Sequence, residues 1–242
     1  MHATAVSLRK TIDFTLTWVR GRMVDVQEIY RARFLETGLN KRSEVWRILC
    51  REFFDPMIGA QKDVLDLACG YGEFINNISA RSKTAIDINP DAPTYLNADV
   101  RFVMTPATDL APIESNSLDV AFTSNFLEHL PNKEACDQVI GEILRVLRPG
   151  GRFVIMGPNI RYAYREYWDF YDHYLPLSHL SLEEGLKKSG FDVVRNVPRF
   201  LPYTMKSSLP TAGFLISAYL KMPLAWRIFG KQFLVVGQKP AR

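Results

Sequence analysis

Charge of one sign is missing from the last fifth of the chain. From Val193 to Arg242 there is no Asp or Glu, while Arg195, Arg199, Lys206, Lys221, Arg227, Lys231, Lys239 and Arg242 are basic. The tail is therefore +8 and the rest −4, within a net charge of +4 over 242 residues. Cysteine is scarce: Cys50, Cys69 and Cys136 are odd in number and lack CxxC spacing, which excludes a disulfide framework and a cysteine-built zinc site. Reduced thiols in a cytoplasmic protein are the expectation. Long apolar runs are absent too. The longest uncharged stretch, Ser207–Leu220, has fourteen residues and contains Pro210, short of the ~18 a spanning helix needs. Arg9, Lys10 and Asp13 precede any apolar run, against a cleaved secretory signal. There is no internal repeat and no low-complexity segment. With 47% hydrophobic and 23% charged residues, a folded globular chain is expected.

What is present falls into two parts. Residues 1–60 read as a helical extension, since Val45, Ile48 and Leu49 recur at helical spacing, and Gly38-Leu39-Asn40 is expected to divide it. Residues 61–242 alternate short apolar runs with helical stretches. Strands are expected at Val64–Leu67, Thr84–Ile88, Val100–Met104, Leu118–Thr123, Phe153–Met156, Phe191–Val194 and Phe233–Val236. Helices are expected over Gly72–Ala80, over Pro131–Leu147 with an apolar stripe of Ala135, Val139, Ile143 and Leu147, and after a Ser181/Glu184 capping box. Pro149-Gly150-Gly151 is read as a helix stop. This grammar predicts an α/β fold: a seven-stranded, mainly parallel Rossmann-like sheet with the last strand antiparallel. A lid-like insertion is expected near 158–180 and a basic, apolar segment near 200–230.

The segment Val64-Leu-Asp-Leu-Ala-Cys-Gly-Tyr-Gly-Glu-Phe74 carries a strand into a glycine turn. Small residues there let a ligand press against backbone N–H groups. The dinucleotide pattern fails, because Gly70-x-Gly72 is followed by Ile75 where Gly or Ala is required. Asp66, at the strand's carboxyl end, would repel a pyrophosphate and suits a cation. Fifteen residues beyond Gly72, Asp87 offers a carboxylate that can accept two hydrogen bonds from a ribose diol. A cation beside a ribose describes S-adenosylmethionine.

On VLDLACGYGEF, AIDINP, SNSLDVAFTSNFLEHL and EILRVLRPGGRFVIMGPN the sequence resembles the class I SAM-dependent methyltransferases, in the subgroup acting on small molecules, lipids and sugars. The resemblance runs from about Asp63 to Gly190. It implies S-adenosyl-L-methionine as cofactor and S-adenosyl-L-homocysteine as product. It places Asp66, Ala68, Gly70 and Gly72 along the methionine part, Asp87 on the ribose and Ile88 on adenine. Pro106 stands where many relatives have an adenine-binding acid, so Thr108 or Asp109 is expected to serve instead. Asn125 joins the cofactor residues.

His129 and Glu128, in Asn125-Phe-Leu-Glu-His-Leu130, are the candidates for proton transfer from an acceptor, His129 first, with His173 and His179 as second candidates for the base. A packing role for the Glu-His pair is the competing reading. No metal is expected. Quinone-pathway O-methyltransferases that bind a divalent ion have an acid three residues before the Glu, and here that position is Asn125. Ile160–Tyr174 has seven aromatics in fifteen residues and reads as an acceptor wall or as a lid packed on the sheet. The expected activity is methyl transfer, foremost to oxygen of a small molecule, sugar or lipid-linked acceptor. A SAM-binding scaffold without turnover, or an RNA or protein methyltransferase, are the alternatives. Nucleic acid is not expected as a partner, because the basic residues are widely spaced and no RNA-binding module is visible. The tail suggests peripheral contact with an anionic membrane, a subunit contact in an oligomer, or an insertion packed on the domain.

Overall fold

The computed structural model describes residues 16–19, 22–25, 39–203 and 212–241. The chain divides into two compact units, Met1–Leu39 and Asn40–Arg242. In the first, β1 (Leu16–Val19) and β2 (Arg22–Asp25) pair antiparallel from Leu16↔Asp25 to Val19↔Arg22. The helical reading of this stretch is therefore corrected. Leu-Thr-Trp-Val is rich in β-branched and aromatic residues, and that preference outweighs a pattern read over a longer window.

Helix α1 (Leu39–Leu49) starts within the expected Gly38-Leu39-Asn40 break, whose Gly38 lies outside the described residues. A π-helical turn, Cys50–Phe54, leads into α2 (Asp55–Ile58), and Gly59 closes the run at φ +90°. Pro56 has no N–H to give the preceding turn, a reason for the register change before it.

Seven strands follow: β3 (Asp63–Leu67), β4 (Ser82–Asp87), β5 (Val100–Met104), β6 (Leu118–Ser124), β7 (Leu147–Pro158), β8 (Asp192–Val197) and β9 (Gln232–Gln238). Their order across the sheet is β5-β4-β3-β6-β7-β9-β8. The β3/β4, β4/β5, β3/β6 and β6/β7 pairs are parallel, and β9 runs antiparallel to both neighbours. This is the expected Rossmann-like sheet with its last strand reversed. Side chains alternate between two cores, as the period of a strand demands. Leu65, Leu67, Ile155 and Val235 face one, with α3 (Lys133–Val146) and α5 (His179–Lys188). Val64, Val120, Phe122 and Val236 face the other, with Ile48, Phe54 and Trp226.

Several local expectations change. Glu73–Ile78 is a run of turns rather than a helix. Its i→i−4 bonds, Asn76 to Gly72 and Ile78 to Phe74, do not propagate. Asn76 and Asn77 spend their amides on the carbonyls of Tyr95 and Glu73, the competition that keeps Asn out of helix interiors. Helix α3 is capped by Asn132, whose side chain accepts from Ala135 N–H, and ends at Val146. Leu147 and Pro149-Gly150-Gly151 then belong to β7, so the glycines turn a strand rather than stop a helix. A Cβ on Gly151 would lie 2.8 Å from the Arg148 carbonyl oxygen. The capping box is Ser178 with Ser181, which starts α5 at His179, three residues ahead of the position expected. Three further helices are α4 (Ile160–Tyr167), α6 (Gly213–Leu220) and α7 (Pro223–Phe229).

Candidate functional site

Parallel strands bring their carboxyl ends to one edge, and the residues named for the cofactor lie along it. Register pairs Leu67 with Ile86, Asp66 with Phe122 and Asp87 with Met104. Ala68, Asp87 and Asn125 thus stand at the ends of three neighbouring strands. Two of the few non-glycine residues in left-handed backbone are here, Ala68 at φ +57° and Asn125 at φ +49°. Such strain is held only where surrounding structure compels it, and it clusters at ligand sites.

The glycine loop is tied down from below. Gly70 N–H donates to Asp87 Oδ2 at 2.8 Å and Cys69 N–H to the Ile86 carbonyl at 3.0 Å. Asn89 N–H donates to the other Asp87 oxygen at 2.9 Å. Asp87 therefore shapes the loop as well as offering lone pairs, since each carboxylate oxygen can accept a second hydrogen bond. Gly72, at φ +72°, is where the loop runs closest to its neighbours: a Cβ would lie 2.5 Å from Leu96 Cδ2. Ile88 and Met104 are large apolar side chains left 62% and 64% exposed on this edge. Met104 escaped the sequence reading, because a lone Met at a strand end carries no motif.

Electrostatically the loop is short of positive charge. Asp66 is buried, and burial pushes its carboxyl well above the ordinary range; Glu73 and Asp87 add to the rise, while a hydrogen bond from Ile75 N–H opposes it. Burial also raises Glu73, although Arg42 pairs with it at 2.6 Å. Asn125 Oδ1 is buried without a hydrogen-bond partner. Acids awaiting a cation, an orphaned acceptor and backbone compressed around small residues fit S-adenosylmethionine, whose ammonium and sulfonium groups are cationic. Beyond β5, Thr108 is half-buried. Asp109 is exposed and its Oδ1 accepts from Ala111 N–H at 3.1 Å within its own turn.

The second half of the edge follows β6. Leu127–His129 forms a 3₁₀ turn. His129 Nδ1 lies 2.8 Å from the Asp172 carbonyl oxygen and 3.3 Å from Asp172 Oδ2. A carbonyl only accepts, so Nδ1 carries the proton and Nε2 is left as an acceptor. Asp172 was not singled out from sequence: it lies 43 positions away, and its one mark is an acid inside an aromatic run. Glu128 is buried, its carboxyl pushed up to about 7 by desolvation against the opposing pull of His129. Its carbonyl accepts from Tyr174 and Leu175 N–H at 2.8 and 3.0 Å, which straps the aromatic segment to the turn. Gly157 of β7 lies beside this turn: a Cβ there would come within 3.3 Å of the Phe233 ring and in ordinary contact, 3.6 Å, with Glu128 Oε2.

His173 is buried, stacked on Phe170 at 4.8 Å and edge-on to His129 at 4.9 Å. Glu128, His129 and His173 each bring one ligand atom within 4.8 Å of the others, so the two histidines and the acid form one cluster. His179 stands apart, its Nδ1 2.9 Å from Asn159 Nδ2, which makes it part of the framework. The aromatic run divides. Tyr167 is fully buried with its hydroxyl donating to the Leu175 carbonyl at 2.6 Å, while Tyr164, Trp168, Tyr171 and Tyr174 are exposed.

Residues 65–155 match the methyltransferase domain family. A sterol 4-C-methyltransferase of Caenorhabditis elegans is 29% identical over 132 residues, covering 50% of this chain and 38% of that protein. A demethylmenaquinone methyltransferase of Thermus thermophilus is 26% identical over 196 residues, covering 75% and 84%. The matches to the first two curated relatives span about two fifths of those proteins' length. A SAM-dependent methyltransferase from Archaeoglobus fulgidus shares the fold at TM-score 0.63 and 21% identity, covering 89% of this chain and all of that one.

Proposed function

We propose that this chain, whose residues 65–155 match the methyltransferase domain family, is a class I SAM-dependent methyltransferase that transfers a methyl group to an oxygen of a small-molecule, sugar or lipid-linked acceptor. The observation that carries the reading is the His129–Asp172 pair at the same strand edge as the acid-rich glycine loop. S-adenosylmethionine, when bound, supplies the methyl as an electrophile on its sulfonium. Asp66, Ala68, Gly70 and Gly72 would hold its amino-acid end, Asp87 its ribose, and Ile88 its adenine beside Thr108 or Asp109, with Asn125 closing the site. His129 Nε2 takes the acceptor hydroxyl proton as the oxygen–carbon bond forms. Asp172 keeps Nδ1 protonated and stabilises the imidazolium that results. Glu128 and His173 brace the histidine from beneath. Relatives named for sterol and demethylmenaquinone substrates support an apolar or lipid-linked acceptor, and the exposed aromatics of residues 164–174 supply faces for one. The reading has the enzyme working in the cytoplasm, with peripheral contact to an anionic membrane.

The test begins with the cofactor. S-adenosylhomocysteine is expected to raise the melting temperature and NAD to leave it unchanged; equal shifts would end the reading. Methyl-labelled S-adenosylmethionine is then incubated with lipid and water-soluble extracts, with and without a chelator. Label is expected in the lipid fraction in both cases. Reversible loss on chelation would turn Glu128, His129 and His173 into metal ligands, and the histidine would no longer be free as the base.

A further inference from the structure

The connection between β8 and β9 presents an apolar face that the interior does not use. β8 ends at Val197 and β9 begins at Gln232, and β8 runs in the same sense as β7 because both oppose β9. The connection therefore leaves and returns at the carboxyl edge, where Asp87, Asn125 and Glu128 lie. Its two helices are firmly seated. Trp226 packs on Phe53 and Phe200, with ring centroids 5.9 and 5.1 Å away, and its Nε1–H donates to the Tyr219 carbonyl at 2.8 Å. Arg199 donates to the carbonyls of Ile228 and Gly230 at 2.6 and 2.7 Å. A Cβ on Gly230 would lie 2.6 Å from the Trp226 carbonyl oxygen, so the turn into β9 admits little else. On this platform Phe214, Leu224 and Ile228 stand 73%, 72% and 66% exposed, with Met222 and Phe229 exposed beside them.

Charge identifies what covers the face. Six cations between Val193 and Ala241 are described. Arg195 lies over the Phe53 ring, Arg199 is bound as above, Lys231 pairs with Glu166, and Lys239 donates to the Leu144 and Leu147 carbonyls. The two that remain, Lys221 and Arg227, are exposed on the helical pair; neither makes a hydrogen bond or ion pair among the described residues, and Lys221 acts only at longer range on Glu52, whose carboxyl it helps to lower. A second copy of the chain is a poor match. A two-fold contact sets the same patch against itself, where these cations would meet each other and no acid of the segment. An anionic bilayer receives both kinds of group at once: apolar tips enter the acyl boundary and cations meet the headgroups.

We propose that α6 and α7 form a docking face for an anionic lipid surface, with Phe214, Leu224 and Ile228 inserted and Lys221 and Arg227 against phosphate. Docking does not depend on the methyl-transfer reading; only its use, turning the carboxyl edge towards an acceptor held in the bilayer, rests on it.

The experiment is co-sedimentation of the full chain with vesicles of phosphatidylcholine alone or mixed with phosphatidylserine, at low and physiological salt. Preferential pelleting with the anionic vesicles, weakened by salt, is expected. Lys221→Glu with Arg227→Glu should lower the partition coefficient roughly tenfold or more, on the usual worth of a basic residue near an anionic surface. Phe214→Ser with Leu224→Ser and Ile228→Ser should abolish binding. Both variants should keep the melting-temperature rise with S-adenosylhomocysteine, which shows an intact fold and separates this proposal from the cofactor reading. Equal pelleting with both vesicle types at low salt would overturn it, as would variants that bind like the parent. A dimer that the triple variant converts to a monomer would assign the face to self-association instead.

Discussion

The two halves of the carboxyl edge are built in different ways. The half proposed for the cofactor, at the ends of β3 and β4, is made of backbone: Gly70, Asn89 and Ile75 N–H groups converge on two carboxylates, all within 24 residues of sequence. The half proposed for the acceptor, beyond β6, is made of side chains drawn from distant places. His129 meets Asp172 and His173 across more than forty positions, and Glu128 is strapped by the N–H groups of Tyr174 and Leu175. A backbone cradle serves any acceptor chemistry, since it recognises the part of the reaction that does not vary. A side-chain assembly can be rebuilt for a new acceptor while the cradle stays as it is.

That contrast breaks most sharply at His129. His129→Ala is expected to lower turnover by about 10²–10⁴, the worth of a general base, with S-adenosylhomocysteine affinity retained. A loss of both together, measured by single-turnover transfer and calorimetry, would show that the halves are one energetic unit. The next effect is on stability. Burial makes Glu128 hold its proton more tightly in the folded chain, at about 7 against 4.5 in the open chain. Its contribution is complete below pH 4.5 and is lost as pH rises through 7. At 1.36 kcal/mol per unit the loss is about 3 kcal/mol. Glu128→Gln should flatten the decline between pH 5 and pH 8 in denaturant titrations, whereas an unchanged slope would place the pH dependence elsewhere.

Asp87→Ala should weaken cofactor-product binding by about 1–3 kcal/mol, through the lost ribose acceptor and the freed Gly70 and Asn89 N–H groups. It should leave the His129 contacts untouched; an unaltered dissociation constant would move the ribose site. Smallest is Gly72→Ala. At φ +72° an added Cβ costs about 1 kcal/mol of backbone strain, and the Leu96 side chain it meets can swing aside. A melting-temperature drop of a few degrees with weaker product binding is expected, and a larger collapse would mean that the loop cannot yield.

The tail shows how far a count of charges can be from a surface. Eight bases and no acid over fifty residues pointed to an anionic partner. In the fold, four of the six described cations stabilise the chain itself: on a ring, on carbonyls, or on Glu166. Two remain to face outward, and the case for a lipid surface comes as much from Phe214, Leu224 and Ile228 as from charge.

Sequence by itself missed β1 and β2 but determined the seven strands of the main sheet and its mainly parallel sense with the last strand reversed, and it located the glycine turn and the acids beside it. Each of these is written in consecutive residues, where period-two burial, a glycine turn and an acid at a strand end act on their immediate neighbours. Tertiary structure decided whatever depends on competition between local preferences or on distant partners. Asn76 and Asn77 found carbonyls to bond, so a predicted helix stayed a set of turns. Pro149-Gly150-Gly151 joined a strand through Lys239, just beyond β9: Gly150 N–H donates to the Lys239 carbonyl and Lys239 N–H to the Gly151 carbonyl, while the register against β6 shifts across this stretch. Asp172 reached His129 only because Tyr174 and Leu175 were hydrogen-bonded to the Glu128 carbonyl, a contact between segments with no sequence relation to each other. Hydrogen bonds and desolvation act over a few ångströms of space, and spacing along the chain reveals them only where the partners are neighbours in both.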